Sequence, residues 1–592
     1  MSRTEDVLAD AGPTTTTRPG REASPAGTLA VERARPRFSV RGLDVGFTRA
    51  GTHRRVVSGL SFDLFPGQCV AIVGESGSGK SVTARTLVGL TGAGSTVTAE
   101  RLQFEGRDVA EFSEREWRRV RGAGIGFVLQ DALVSLDPLR PVGAEIDEAL
   151  RLHGWGSRRS RARKVVDLLT SVGVPSPQLR AGQRSGELSG GLRQRALIAS
   201  ALALDPDVVI ADEPTTALDV TVQAQVLDLL AQTKDRGVSI LLISHDLSVV
   251  ARLADLVLVM RGGEVVERGT AQQVLTDPQH EYTKALIAAV PGEHTKGTRL
   301  VPPAAGADVA PVPAPRRHEP APEPLLEARG LVKRFATAGG LRRTAVDGVS
   351  FTLHRGRTVG IVGESGSGKS TTARLALALT TPDEGDVTLL GEAWSTVPET
   401  RRRARRSSIA VVQQDPLSSF DPRWDVERIL LDSLPAGHTG RTARGARVRE
   451  LLEQVGLGEE VLPRSPLRLS GGQRQRVAIA RALGSEPSIL VLDEAVSALD
   501  VSVQAQVLDL LADLQERLGL SYLFISHDLG VIHHVSDEVL VMKDGRVVER
   551  GTADDVFRRP QEAYTQELVG SLPRLADARP TTAGTSTTGE TR

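Results

Sequence analysis

The chain has 592 residues, with 73 Lys and Arg against 73 Asp and Glu, so its formal net charge is zero. That balance argues against a protein whose work is to coat nucleic acid, which calls for a basic excess or stripe. The one cysteine, Cys69, excludes an intrachain disulfide framework, a Cys-ligated zinc site and a four-Cys iron–sulfur cluster, and it suits a reducing cytoplasm.

Residues 1–36 hold Arg and Thr but no apolar core of a secretory signal, and they are predicted to be a disordered tail. No later stretch approaches the ~20 mostly apolar residues that span a bilayer. The first predicted unit, 37–291, alternates short apolar runs with helical stretches, the pattern of a parallel sheet covered by helices. The buried strand Cys69–Val73 leads into Gly74-Glu75-Ser76-Gly77-Ser78-Gly79-Lys80-Ser81, which opens a helical pattern. Gln130 stands where a strand gives way to an Arg-rich helical insert over 131–187, followed by Leu188-Ser189-Gly190-Gly191-Leu192. The strand Val208–Ala211 ends on Asp212-Glu213, and Leu241–Ile243 ends on Ser244-His245-Asp246-Leu247. Leu256–Met260 and Val265–Glu267 read as a hairpin.

The Pro- and Ala-rich segment 292–324 reads as a semi-extended, solvated linker. The whole order then returns over 325–574: the loop Gly363-Glu364-Ser365-Gly366-Ser367-Gly368-Lys369-Ser370, then Gln414, a helical insert over 415–468, and Leu469-Ser470-Gly471-Gly472-Gln473. Asp493-Glu494 follows the strand Ile489–Leu492, and Ser526-His527-Asp528-Leu529 follows Tyr522–Ile525. Residues 575–592 are a second predicted disordered tail. One domain is written twice.

The repeated loop matches G-x4-G-K-S in strand–loop–helix context, which is a phosphate-binding loop. Its glycines let backbone N–H groups curl around phosphates, and the helix N-terminus adds partial positive charge. Lys80 and Lys369 would neutralise the β- and γ-phosphates, and Ser81 and Ser370 would ligate Mg²⁺. Asp212 and Asp493 can hold Mg²⁺ from the strand ends, while Glu213 and Glu494 are placed to deprotonate an attacking water. An acidic pair after a strand also suits a helix N-terminus. His245 and His527 can touch the water or the γ-phosphate, and Gln130 and Gln414 can reach Mg²⁺ and water.

Phosphate loop, Gln, LSGG, acidic pair and SHDL, in that order and twice, resemble the nucleotide-binding domains of ATP-binding cassette (ABC) ATPases, over roughly 38–291 and 325–573. The resemblance implies an α/β fold of two P-loop NTPase domains in tandem, each with a helical signature subdomain and an antiparallel β subdomain. It implies head-to-tail packing, with ATP on Lys80 closed by Ser470, Gly471, Gly472 and Gln473, and ATP on Lys369 closed by Ser189, Gly190 and Gly191. Asp219 and Asp500 would couple the two sites, and Phe47 and Phe335 would stack on adenine. Two departures stand out: Leu192 where the second copy has Gln473, and Ala495 where the first copy has Pro214.

Three non-transport members of the superfamily fit less well. Repair ATPases need Cys-rich zinc modules and chromosome-organising ATPases need long heptad arms. Tandem-cassette translation factors, the alternative reading, usually join their cassettes by a charged helical linker. The D-x3-S-x-D-P segments after each Gln (131–138 and 415–422) and the closing motifs Pro278…Tyr282-Thr283 and Pro560…Tyr564-Thr565 resemble the peptide/nickel/glutathione importer group. That group implies an ATP hydrolase with ATP and Mg²⁺ as cofactors. It also implies peripheral attachment to the cytoplasmic face of the inner membrane through two permease subunits, and an extracytoplasmic solute-binding protein. No nucleic-acid partner is expected.

Overall fold

The structure is a computed structural model and describes residues 35–49, 51–130, 135–215, 218–292, 295–301, 323–336, 342–435 and 440–571. Most of the expected N-terminal tail, all of the C-terminal one, most of the linker and residues 131–134 lie outside these.

Each half is built on a six-stranded sheet. In the first, the order is 264–270, 256–261, 69–73, 239–243, 208–212 and 125–128, all parallel except the outermost hairpin strand 264–270. The second repeats it as 409–412, 489–493, 521–525, 358–362, 538–543 and 546–552. The central strands read as unbroken apolar runs because both sheet faces are covered. Successive side chains go to opposite cores: Cys69, Ala71 and Val73 pack on the helical side, whereas Val70 and Ile72 pack against a separate antiparallel sheet. Ile489 and Val491 likewise part from Leu490 and Leu492.

The antiparallel sheet pairs Phe38–Arg49 with Thr52–Leu64 in the first half, and Pro324–Ala336 with Arg342–His354 in the second. The Arg-rich inserts fold as helices. Val142–Leu152 and Arg158–Ser171 precede Gly190–Ala201, while Val426–Ser433 and Arg441–Gln454 precede Gly471–Leu483. Their few apolar positions, such as Ile146, Leu150, Leu168 and Leu169, face inward, while Arg151, Arg158, Arg159 and Arg163 are exposed and the half-buried Arg161 pairs with Asp147.

The expected solvated linker is corrected over 295–301, which docks on the second half. Leu300 is 1% exposed, and the Asp509 carboxylate of helix Val501–Leu518 accepts the N–H groups of Leu300 and Val301 at 3.1 and 2.9 Å. Arg299 pairs with Asp513, and the His534 ring lies 3.1 Å from Thr295 Oγ1. An apolar anchor flanked by chain N–H groups that need acceptors outweighs the solvating effect of Pro and Ala composition. Asp509→Ala strands both donors and is expected to cost about 2–3 kcal/mol in urea unfolding.

Candidate functional site

The site grows from the strand ends. After Val73 the chain must turn sharply under the hairpin, and a Cβ at Gly74 (φ +146°) would sit 2.1 Å from Met260 O. Gly363 repeats this against Met542 O at 2.2 Å. Each loop then curls so that its lysine folds back into it. Lys80 Nζ donates to Gly74 O and Glu75 O at 2.6 and 2.8 Å, and Lys369 Nζ to Gly363 O and Glu364 O at 2.7 and 2.8 Å. Burial pulls both ammonium groups below their ordinary pKa, against the carboxylates of Glu213 and Asp500 around Lys80 and of Glu494 and Asp219 around Lys369. Ser76, Gly77, Ser365 and Gly366 are exposed at the loop tips, while the Ser78 and Ser367 hydroxyls are buried with no hydrogen-bond partner.

Ser81 Oγ donates to Asp212 Oδ1 at 2.9 Å, and Ser370 Oγ to Asp493 Oδ1 at 3.2 Å. Desolvation raises both aspartates, and the neighbouring Glu213 and Glu494 add to it, against the Ser hydrogen bonds. Asp212 Oδ2 is buried without a partner. An interior carboxylate oxygen left open beside a hydroxyl is the hard oxygen donor set that Mg²⁺ prefers, so these residues fit the cation.

Glu213 and Glu494 follow at φ +50° and +51°, a region glutamate seldom adopts. The two values agree although Pro214 follows one and Ala495 the other, so the Ala495 departure leaves this backbone unchanged. The turn aims each carboxylate at the next strand end: Glu213 Oε1 lies 3.3 Å from His245 Nδ1, and Glu494 Oε1 lies 3.6 Å from His527 Nδ1. Gln130 Nε2 donates to Glu213 Oε2 at 2.7 Å, whereas among the described residues no equivalent bond joins Gln414 to Glu494.

Burial alone would pull both imidazoles down, but the hydrogen bond and charge of Glu213 on His245, and of Glu494 on His527, outweigh it and raise them. A raised group stabilises the fold below its unfolded value and loses that contribution as pH climbs through the folded value. The double variant His245→Gln/His527→Gln is therefore expected to melt below the native chain at pH ~6 and to converge on it by pH ~9, by thermal unfolding at both values.

The LSGG segments cap helices. Ser470 and Gln473 make a reciprocal box, Gln473 N to Ser470 Oγ at 3.2 Å and Ser470 N to Gln473 Oε1 at 3.1 Å. Ser189 accepts the Leu192 N–H, but the leucine has no group to return, so this departure removes one of the two capping bonds. Ser189, Gly190, Ser470 and Gly471 are exposed. Gly191 and Gly472 pack so tightly on Val222 and Val503 that a Cβ would lie 2.6 and 2.4 Å away. Those valines belong to the helices that Asp219 and Asp500 cap.

The same junction crosses between halves. Thr221 Oγ1 donates to Glu364 Oε1 at 2.8 Å, and Ser365 N donates to Asp219 Oδ2 at 3.3 Å. Phe47 and Phe335 lie on the antiparallel sheets, Phe335 opposite Arg343, whose Nη2 would be 3.7 Å from a Cβ at Gly366. Phe335 is 45% exposed, with the Lys333 ammonium 5.8 Å from its ring centroid.

The ABC transporter family profile matches residues 57–216 and 346–497, and the profile "Oligopeptide/dipeptide transporter, C-terminal region" matches 266–312 and 548–591. The chain is 42% identical to the oligopeptide transport ATP-binding protein OppD of Mycobacterium tuberculosis, over 92% of this chain and 99% of that one. It is 43% identical to the peptidoglycan transport ATP-binding protein YejF of Agrobacterium fabrum, over 90% and 96%. With the glutathione import ATP-binding protein GsiA of Escherichia coli it shares 42% identity, over 92% and 90%. The chain thus belongs to the ABC transporter family, as an ATP-binding and ATP-hydrolysing protein made of two cassettes, each followed by the oligopeptide/dipeptide-transporter C-terminal region.

Proposed function

We propose that this ATPase drives import of peptides, or of small solutes containing peptide bonds, through two separate permease subunits fed by an extracytoplasmic binding protein. What supports it is the oligopeptide/dipeptide-transporter C-terminal region behind each cassette, together with a contact that suits shared ATP sites: the first half's Asp219 and Thr221 reach the second half's phosphate loop. In that reading the N–H groups of each loop, with Lys80 or Lys369, hold the phosphates of ATP, and Phe47 or Phe335 takes the adenine. Ser81, Asp212 and Gln130, or Ser370, Asp493 and Gln414, would hold Mg²⁺, which screens phosphate charge.

Glu213 or Glu494 accepts a proton from water as the water oxygen bonds to the γ-phosphorus. The bond from that phosphorus to the β–γ bridging oxygen breaks, and ADP departs with its electrons. His245 or His527 orients the glutamate. Ser470, Gly471 and Gly472 close over ATP on Lys80, while Ser189, Gly190 and Gly191 close over ATP on Lys369.

Among the described residues no helix is long and apolar enough to cross a membrane. Attachment to the cytoplasmic face would therefore run through the permeases. Affinity capture of the full chain from detergent-solubilised membranes is expected to recover two multi-span proteins, and deletion of the gene to abolish uptake of a labelled oligopeptide. Recovery of ribosomes without multi-span proteins would overturn the transport reading.

A further inference from the structure

The helices that close each half carry a tyrosine that the hydrolysis scheme does not use. Tyr282 lies in Glu281–Ala288 and Tyr564 in Ala563–Gly570, 7% and 8% exposed. The Tyr282 hydroxyl accepts the Glu75 N–H at 3.1 Å, and the Tyr564 hydroxyl accepts the Glu364 N–H at 3.2 Å. The carbonyl of the same peptide unit, Gly74 O or Gly363 O, accepts the lysine ammonium at 2.6 or 2.7 Å. The amide that opens each phosphate loop is thus gripped at both ends, by a phenol on its N–H and by an ammonium on its C=O. Hydrogen bonds arranged in series polarise one another.

The phenols are themselves fixed. Glu267 of the first hairpin accepts the N–H groups of Gln279 and His280 at 2.7 and 3.1 Å, and Glu549 of the second accepts those of Gln561 and Glu562 at 2.8 and 3.1 Å. The Arg261 guanidinium sits 5.0 Å from the Tyr282 ring centroid and the Lys543 ammonium 4.3 Å from that of Tyr564. Burial above all, with nearby carboxylates, pushes both phenols up to about 12, so they stay protonated. In the second loop the next N–H, of Ser365, goes to Asp219 of the opposing half. Adjacent amides of one loop are therefore held from two sides, by the C-terminal helix of its own half and by the facing half.

We propose that Tyr282 and Tyr564 are positioning residues that lock the first peptide of each phosphate loop, so that the C-terminal segment of each half sets that half's affinity for nucleotide. This rests on the reading of the two loops as ATP sites. The test uses the full chain with Tyr282→Phe and Tyr564→Phe, which keep the rings and remove only the hydroxyls.

KM for ATP, and Kd for a fluorescent ATP analogue with Mg²⁺, are expected to rise about fivefold to tenfold, the factor carried by one net hydrogen bond of ordinary strength. kcat should change less than ~2-fold and Tm by less than ~2 °C, while hydrogen exchange at the Glu75 and Glu364 amides speeds up at least ~10-fold. Each single variant should speed exchange only at its own loop. A lowered Tm with unchanged KM and unchanged amide exchange would make the tyrosines merely structural and overturn the proposal. Lys80→Ala/Lys369→Ala is measured alongside. Lost binding there with native affinity in the Phe variant overturns the tyrosine role alone, whereas native binding in both also removes the loops from the ATP site.

Discussion

A chain carrying Glu213→Gln and Glu494→Gln together is expected to bind ATP normally and to lose steady-state hydrolysis by at least ~100-fold, the low end of what a positioned general base supplies. Gln matches Glu in size but cannot take up the water proton. The backbone that presents each carboxylate, at φ +50° and +51°, strains any side chain with a Cβ, so Gln adds no strain that Glu lacks. The phosphate loops and their lysines, which reading assigns to binding, are untouched. Phosphate release and equilibrium nucleotide binding measured on one preparation separate the two effects. Hydrolysis within about threefold of the native rate would remove these glutamates from the chemistry.

Much of this site could be read directly from the chain because its signals are local and written twice. A phosphate loop needs its glycines and lysine within eight residues, and an acidic pair announces itself at the end of an apolar strand. The sheet strands were legible for the same reason, since burial on both faces leaves unbroken apolar runs such as Val208–Ala211. What stayed hidden depends on long-range contacts. Tyr282 and Glu75 lie 207 residues apart, and no pattern near either tyrosine says that its hydroxyl meets a loop amide. The docking of 295–301 was masked by Pro- and Ala-rich surroundings, although the apolar pair Leu300-Val301 there was a usable hint. The left-handed turn at Glu213 and Glu494 left no trace, since glycine or asparagine would normally mark such a position.

The most discriminating expectation concerns which half closes which pocket. Gly190 is exposed with nothing within 4 Å of where a Cβ would sit, so Gly190→Asp should leave the fold intact, and an acid in the first turn of that helix is favourable. Against a γ-phosphate the same carboxylate is repulsive by several kcal/mol, enough to cut affinity ~100-fold or more. In the Glu213→Gln/Glu494→Gln background, which should trap two nucleotides, Gly190→Asp combined with Lys369→Ala is expected to leave one bound, because both changes strike one pocket. Combined with Lys80→Ala, it should leave none. The mirror substitution Gly471→Asp should do the reverse, sparing one nucleotide with Lys80→Ala and none with Lys369→Ala. Counting trapped nucleotide per chain after gel filtration reads the answer without any permease. If each half closed its own pocket the two pairings would exchange outcomes, and the contacts of Thr221 and Asp219 with Glu364 and Ser365 would then join neighbours without completing a site.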